Sequence, residues 1–157
     1  MDLSLTEEQK LIQQTARRFA EVELQPNAAQ LDRQESPEKD RKIFLQNLRA
    51  LAELGFMGLN VSSDYGGTEA GVVAFSLAIT EVARACASTA VTMSVTNMVG
   101  EVIQAIASDE QKQMYLPKLC SGEYSAGSFC LSEACAGSDP ASMLTQAIRD
   151  GDDWVLN

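Results

Sequence analysis

The sequence predicts a mainly α-helical fold, with a helical-bundle domain over residues 1–118 followed by the first strands of a β-domain in 119–157. Three observations carry this. Thr6-Glu7-Glu8-Gln9 is a capping-box helix start, and Ser108-Asp109-Glu110-Gln111 opens another helix. Between them, residues 71–107 hold two long apolar segments with few charges, which suits helices packed at the centre of a bundle. Near residue 119 the apolar period shifts from helical to strand-like, with no Gly/Ser linker at the change.

In order, the first helix starts at Thr6, places Ile12, Ala16 and Phe19 on one face, and is limited by Pro26. A short helical piece runs on through Leu31. Ser36-Pro37 begins the next helix, with Ser as cap and Pro at the first position. Leu45, Leu48 and Ala52 form its core stripe, and Gly55 ends it. Residues 56–69 read as a loop with a tight turn at Asp64-Tyr65-Gly66-Gly67. The helix over 71–87 has little polar face, so it is expected to be central and buried; the next, 88–107, is capped by Ser88. The helix from Ser108 is interrupted near Pro117. Strand character appears at Ser125–Leu131 and Leu144–Arg149, turns at Asp150-Gly151-Asp152 and resumes through Trp154–Asn157. The chain stops within that strand, and a two-strand piece is marginal alone.

Composition narrows the chemistry. The chain has 157 residues, 45% of them apolar, enough for one domain with a core. Its net charge is −10; residues 1–60 carry 8 basic and 10 acidic groups, and 61–157 carry 4 and 12. A nucleic-acid binder needs the opposite balance. There is no His, which rules out His triads and His metal sites from these residues. The four cysteines, at 86, 120, 130 and 135, lack metal-site spacing and read as reduced and mostly packed; no metal site is expected. The longest uncharged stretch, Ala85–Gly100, is too short to span a bilayer, so no membrane insertion is expected. Glu7, Glu8 and Lys10 break any secretory signal at the start. A soluble, reducing compartment follows: cytoplasmic, or the mitochondrial matrix in a eukaryote.

One stretch concentrates candidate binding residues: Phe129-Cys130-Leu131-Ser132-Glu133-Ala134-Cys135-Ala136-Gly137-Ser138-Asp139. An apolar run breaks here into small, hydroxyl-bearing and acidic residues. Gly137-Ser138-Asp139-Pro140 is a turn opening a short helical piece, and such a turn points N–H donors outward, toward a flat acceptor-rich ring or an anion. The same residues also suit plain chain punctuation. In the 88–107 helix, Thr92, Ser94, Thr96 and Asn97 mix with Val91, Met93, Val95 and Val99. That pattern fits a packed core helix whose hydroxyls bond back to their own carbonyls, or the wall of a pocket; periodicity does not separate the two.

The 129–139 string resembles the flavin-contacting signature of acyl-CoA dehydrogenases, which typically reads Phe-x-Leu-Thr/Ser-Glu-Pro-x-x-Gly-Ser-Asp. The likeness continues through Arg84–Val91, Met93-Ser94-Val95, Asn97, Tyr115-Leu116-Pro117-Lys118-Leu119 and Asp150–Asn157, and the stretch Arg84–Asn97 looks most like the short-chain members. Ala134 stands where the family usually has Pro, and Cys135 where it often has Gly, so the turn must form without either specialist. The resemblance implies FAD as cofactor, lined by Phe129, Cys130, Leu131, Ser132, Gly137 and Ser138, with the Ser132 hydroxyl on a polar edge of the flavin ring. It implies an acyl-CoA substrate, with Ser138 near the pantetheine arm and Val95, Thr96 and Val99 on the acyl-chain wall.

The implied activity is α,β-dehydrogenation of an acyl-CoA thioester with hydride transfer to FAD. The family's Glu base lies beyond this stretch, so an N-terminal fragment without a catalytic residue is expected, inactive in isolation. Glu133 reads as a turn or cap acceptor and takes no part as base. Implied partners are an electron-transfer flavoprotein or other acceptor and, at full length, further copies of the chain. The alternatives are a non-catalytic helical binding or assembly module of the same fold, or a related acyl-CoA oxidase or flavin monooxygenase.

Overall fold

A computed structural model describes residues 4–157; residues 1–3 of the expected first domain lie outside the described residues. Six α-helices come first among the described residues: α1 Glu7–Phe19, α2 Gln25–Arg33, α3 Pro37–Glu53, α4 Gly71–Ala85, α5 Ala87–Ile106 and α6 Asp109–Cys120. A hairpin of β1 Ala147–Asp150 and β2 Asp153–Leu156 ends the chain, with Ala147 opposite Leu156 and Asp150 opposite Asp153.

Helix α4 packs between α1 and α5, α3 closes on α2, and α6 lies along α5. The core takes Ala16, Phe19 and Leu24 from the first helical run, Leu48 and Leu51 from α3, Ala78 and Val82 from α4, and Ala90 and Met93 from α5. Phe56, Met57 and Leu59 complete it from the segment joining α3 to α4. That segment is a loop, as expected, yet its first part, Phe56–Leu59 with Val61, is buried. Its backbone groups therefore need partners. Asn97 of α5 supplies them: its amide donates to the carbonyls of Phe56 (2.8 Å) and Met93 (2.9 Å), and its Oδ1 accepts from the Leu59 N–H (2.8 Å). Gly67 lies so close to Val61 that any Cβ would collide with the Val61 carbonyl.

A second polar tie joins α1 to α4. Glu81 has a side chain 4% exposed, and Arg17 grips it with two nitrogens, at 3.1 and 2.7 Å; Gln13 adds a third bond at 3.2 Å. The Arg17 hydrogen bonds hold the Glu81 carboxyl below the usual carboxylate range, against the opposing effect of burial.

Both capping boxes form, at Thr6–Gln9 and Ser108–Gln111. Several expected boundaries move. Pro26 does not stop the chain's helical course. A π-helical turn, Ala20–Leu24, precedes it, with the Gln25 N–H reaching back to the Ala20 carbonyl, and α2 runs on to Arg33. One wider turn accommodates a residue that has no N–H and crowds the carbonyl four places back. At α3 the Ser36 side chain makes no cap bond. Asp40, buried inside the helix, accepts from the Ser36 N–H (3.0 Å) and from Gln30 (2.8 Å) instead. The α3 stripe is Leu48, Leu51 and Ala52, while Leu45 is exposed.

Helix α4 is central but not buried all round: Ala74, Ala78, Glu81 and Val82 face inward and Val72 is 75% exposed. The cap of α5 is Cys86, two residues earlier than expected, and Ser88 lies inside the helix. Pro117 does not interrupt α6, because Leu116, Leu119 and Cys120 are all buried around it. A helical proline costs about 3 kcal/mol, and burying two leucines returns roughly 1.5–3 kcal/mol each. Two of the four cysteines, Cys86 and Cys120, are packed; Cys130 and Cys135 are exposed. The expected strand at Ser125–Leu131 is absent, since an extended segment becomes a strand only with a partner and none lies beside it among the described residues.

Candidate functional site

The segment leaving α6 is laid onto α5 before it reaches the candidate residues. Thr96, fully buried, donates its hydroxyl to the Thr92 carbonyl (2.8 Å) and accepts from the Gly127 N–H (3.1 Å). Gly127 sits so near Val99 that a Cβ there would lie 2.9 Å from the valine's. Thr96 and Val99 thus meet at one anchor point, and Val95 lies half-buried on the same helix. Thr92 likewise bonds back, to the Ser88 carbonyl (3.0 Å). These hydroxyls follow the core-helix pattern, and in addition Thr96 holds the next segment.

Beyond the anchor, Ser128–Ser132 is exposed, and its backbone N–H groups have no hydrogen-bond partner among the described residues. Phe129 and Leu131 are exposed by 45% and 41%, and Cys130 and Ser132 are exposed beside them. The chain then reverses at Glu133–Ala136, whose backbones exchange two bonds of 3.3 and 3.2 Å. Neither Ala134 nor Cys135 has a positive φ, so this turn forms without a Pro or Gly.

Glu133 does what its acceptor reading requires. Its carboxylate takes the N–H groups of Leu144 (2.8 Å) and Thr145 (3.0 Å), eleven and twelve residues on. Hydrogen bonding from the Thr145 side chain, then from the two backbone amides, holds this carboxyl below the usual range. The clamp closes a loop containing Gly137, Ser138 and the 3-10 turn Pro140–Ser142. Within it Ser142 donates to Asp139 at 2.6 Å. Gly137 has open space where a Cβ would stand. The hydroxyls of Ser132 and Ser138 have no hydrogen-bond partner among the described residues.

The result is a ledge of unpaired N–H and hydroxyl donors flanked by two half-exposed apolar side chains. That donor set fits the acceptor-rich edge of a flavin ring, and the open space at Gly137 permits close approach to the backbone. It fits a pyrophosphate less well. Arg149 is the one Lys or Arg between 119 and 157, and it bonds the Gly151 carbonyl (3.1 Å) of its own hairpin. The motif marked these residues in the sequence; the Thr96–Gly127 tie and the Glu133 clamp it did not, since contacts across 31 and 11–12 positions leave no local spacing.

A helical bundle that carries such a ledge is the fold, and its relatives give the class. Residues 6–123 match the family model described as acyl-CoA dehydrogenase, N-terminal domain. The chain belongs to the acyl-CoA dehydrogenase family.

It is 35% identical over its whole length to the short-chain specific acyl-CoA dehydrogenase of Clostridium acetobutylicum, covering 40% of that protein. Over 99% of the chain it is 38% identical to the mitochondrial short-chain specific enzyme of Bos taurus, covering 36% of it. Among solved structures, a glutaryl-CoA dehydrogenase from Mycobacterium smegmatis in complex with FADH2 superposes with a TM-score of 0.85 at 30% identity, over 98% of this chain and 38% of that one. The chain thus spans about two fifths of the length of the relatives it matches. No helix among the described residues is long and apolar enough to cross a membrane.

Proposed function

We propose that this chain contributes to FAD-dependent α,β-dehydrogenation of a short acyl-CoA thioester by positioning the flavin and part of the substrate. The observation that carries the reading is the ledge of unpaired donors from Ser128 to Ser132, set on α5 by the Thr96–Gly127 bond and followed by the loop closed by Glu133. When bound, the flavin supplies the hydride-accepting chemistry. This chain's part is to orient. The Ser132 hydroxyl and the N–H groups of 129–132 meet the ring's polar edge, with Cys130 on the same segment. Phe129 and Leu131 offer apolar contact, and Gly137 leaves room for the ring. Ser138 meets the substrate's pantetheine arm, and Val95 and Val99 stand toward its acyl chain, with the buried Thr96 holding Gly127 beneath them.

The division into a helical domain over 1–118 and a β-domain starting at 119 belongs to the same proposal, as do an acyl-CoA substrate, an electron-transfer flavoprotein or similar acceptor, and self-association of the longer protein. Glu133 is committed to its clamp, which supports placing the proton-abstracting base outside these residues. The 157 residues alone are therefore expected to show no acyl-CoA turnover above a no-enzyme control.

Amide NMR of the chain titrated with FAD tests the positioning role. A few neutral donors contribute on the order of 0.5–1.5 kcal/mol each, against an association cost of several kcal/mol or more, so binding should be weak, with shifts concentrated in 129–138. Ser132→Ala should shrink those shifts. Shifts elsewhere only, or none at all, would withdraw the residue roles; a yellow, stoichiometric flavin complex would show a complete site in place of a half-site.

A further inference from the structure

We infer that the groove between α3 and the turn after α6 is a docking site for a short acidic segment of a partner protein, with an apolar residue between two carboxylates on one face. The groove has a volume of about 520 Å³ and is lined by Arg41, Lys42, Leu45 and Arg49 of α3 and by Gly122 and Glu123 opposite. In a chain of net charge −10 this is a concentration of cations. None of the three has a carboxylate within 4.0 Å among the described residues.

The neighbouring acids are already engaged. Asp40, next to Arg41, is turned inward onto Ser36 and Gln30. Glu123 pairs with Lys118 at 3.1 Å, and that ammonium also lies 5.5 Å from the Tyr124 ring centre. Glu38 stands at the α3 end of the groove, where it makes no ion pair among the described residues. Helix α3 therefore exposes Arg41, Lys42 and Arg49 along the groove without an ion-pair partner among the described residues, against Glu38 at one end.

The spacing selects the ligand. Arg41, Leu45 and Arg49 recur every four residues, so successive side chains stand about 6 Å apart along the helix. Alternate residues of an extended peptide share a face and lie roughly 6.5 Å apart. Acid–x–apolar–x–acid thus sets each carboxylate on a guanidinium and the apolar residue on Leu45, which is 39% exposed. Arg presents a planar fork that suits carboxylates. A single phosphate fits less well, because cations spread over about 12 Å do not converge on one point. A nucleic acid backbone brings no apolar side chain to Leu45.

The opposite wall is fixed. Gly122 turns with φ +74°, and a Cβ there would lie 2.7 Å from that of Ala52. The turn rests directly on α3, so the groove keeps its width.

The test is fluorescence anisotropy of the 157-residue chain with fluorescein-labelled Asp-Ser-Leu-Ser-Glu at low ionic strength. Saturable binding is expected, weakening severalfold on raising salt to physiological strength. The double variant Arg41→Gln/Arg49→Gln should bind about tenfold more weakly, as loss of two exposed charge pairs implies, with an unchanged circular dichroism spectrum. The equally charged Asp-Ser-Ser-Ser-Glu should bind at least about threefold more weakly, through loss of the leucine contact. No saturation, equal affinity of the double variant, equal affinity for the leucine-free peptide, or tighter binding of oligothymidylate of the same charge would each overturn the inference.

Discussion

In the helical body the polar side chains that count bridge distant parts of the chain from buried positions: Asn97 reaches Phe56 and Leu59, and Glu81 takes Gln13 and Arg17. In residues 121–157 Ala136 is the single buried residue, and Leu144, Trp154 and Leu156 are exposed by 71%, 64% and 73%. There the order comes from a two-residue reversal, a carboxylate clamp, one hairpin and the tie of Gly127 to Thr96. The first region is stabilised by burial and made unique by its polar ties. The second is shaped by hydrogen bonds in water, each a small net contribution. The contrast suits the proposed roles, since a rigid body can hold an arm whose donors stay free for a ligand.

The largest blow to the body should come from Asn97→Ala. It leaves the buried Leu59 N–H and Phe56 carbonyl without partners, which costs on the order of 3 kcal/mol, read as a lower urea midpoint with an unchanged slope. A loss below about 0.5 kcal/mol would show that the segment 56–61 finds other partners.

Glu81→Gln comes next, with a fall in Tm of roughly 5 °C at neutral pH. Its pH dependence has a definite sign. The folded-state carboxyl lies below its ordinary value of 4.5, so its contribution is present in full above that pH and is lost as pH falls through the lower folded value. The gap between Glu81→Gln and the parent should therefore be widest near neutrality and close in acid. A gap that widened in acid would reverse the assignment.

Legibility in the sequence follows the same divide, for physical reasons. The Thr6 capping box and the helix start at Ser108 are readable because each completes itself within four residues. Pro26 and Pro117 were misread as stops because neighbouring packing and one π-turn outweigh the local preference. Ser36 gave way as a cap to Asp40, which gains a second bond from Gln30. The candidate ligand residues of 129–138 were legible as a string. What positions them, Thr96 on Gly127 and Glu133 on Leu144 and Thr145, was not, since both contacts are products of folding.

Gly127→Ala acts at the joint between the regions. The added methyl meets Val99, and a strain of about 1 kcal/mol should fall on the arm: amides of 125–132 exchange faster while α4 and α5 keep their protection. Equal loosening of both regions would mean that the joint belongs to the body. The smallest global effect is expected of Glu133→Gln. Its amide oxygen can accept only part of what the carboxylate takes, so Leu144 and Thr145 amide resonances should move upfield while Tm stays within about 1 °C. A lower Tm of several degrees would make the clamp part of the body's stability.

Residue-resolved hydrogen exchange on the 157-residue chain tests the division most directly. The account predicts that amides of 72–106 are protected nearly to the limit of global unfolding, while those of 144–157 exchange through local opening, orders of magnitude faster. Strong protection of both sets to the same level, in a chain shown to be monomeric, would contradict it.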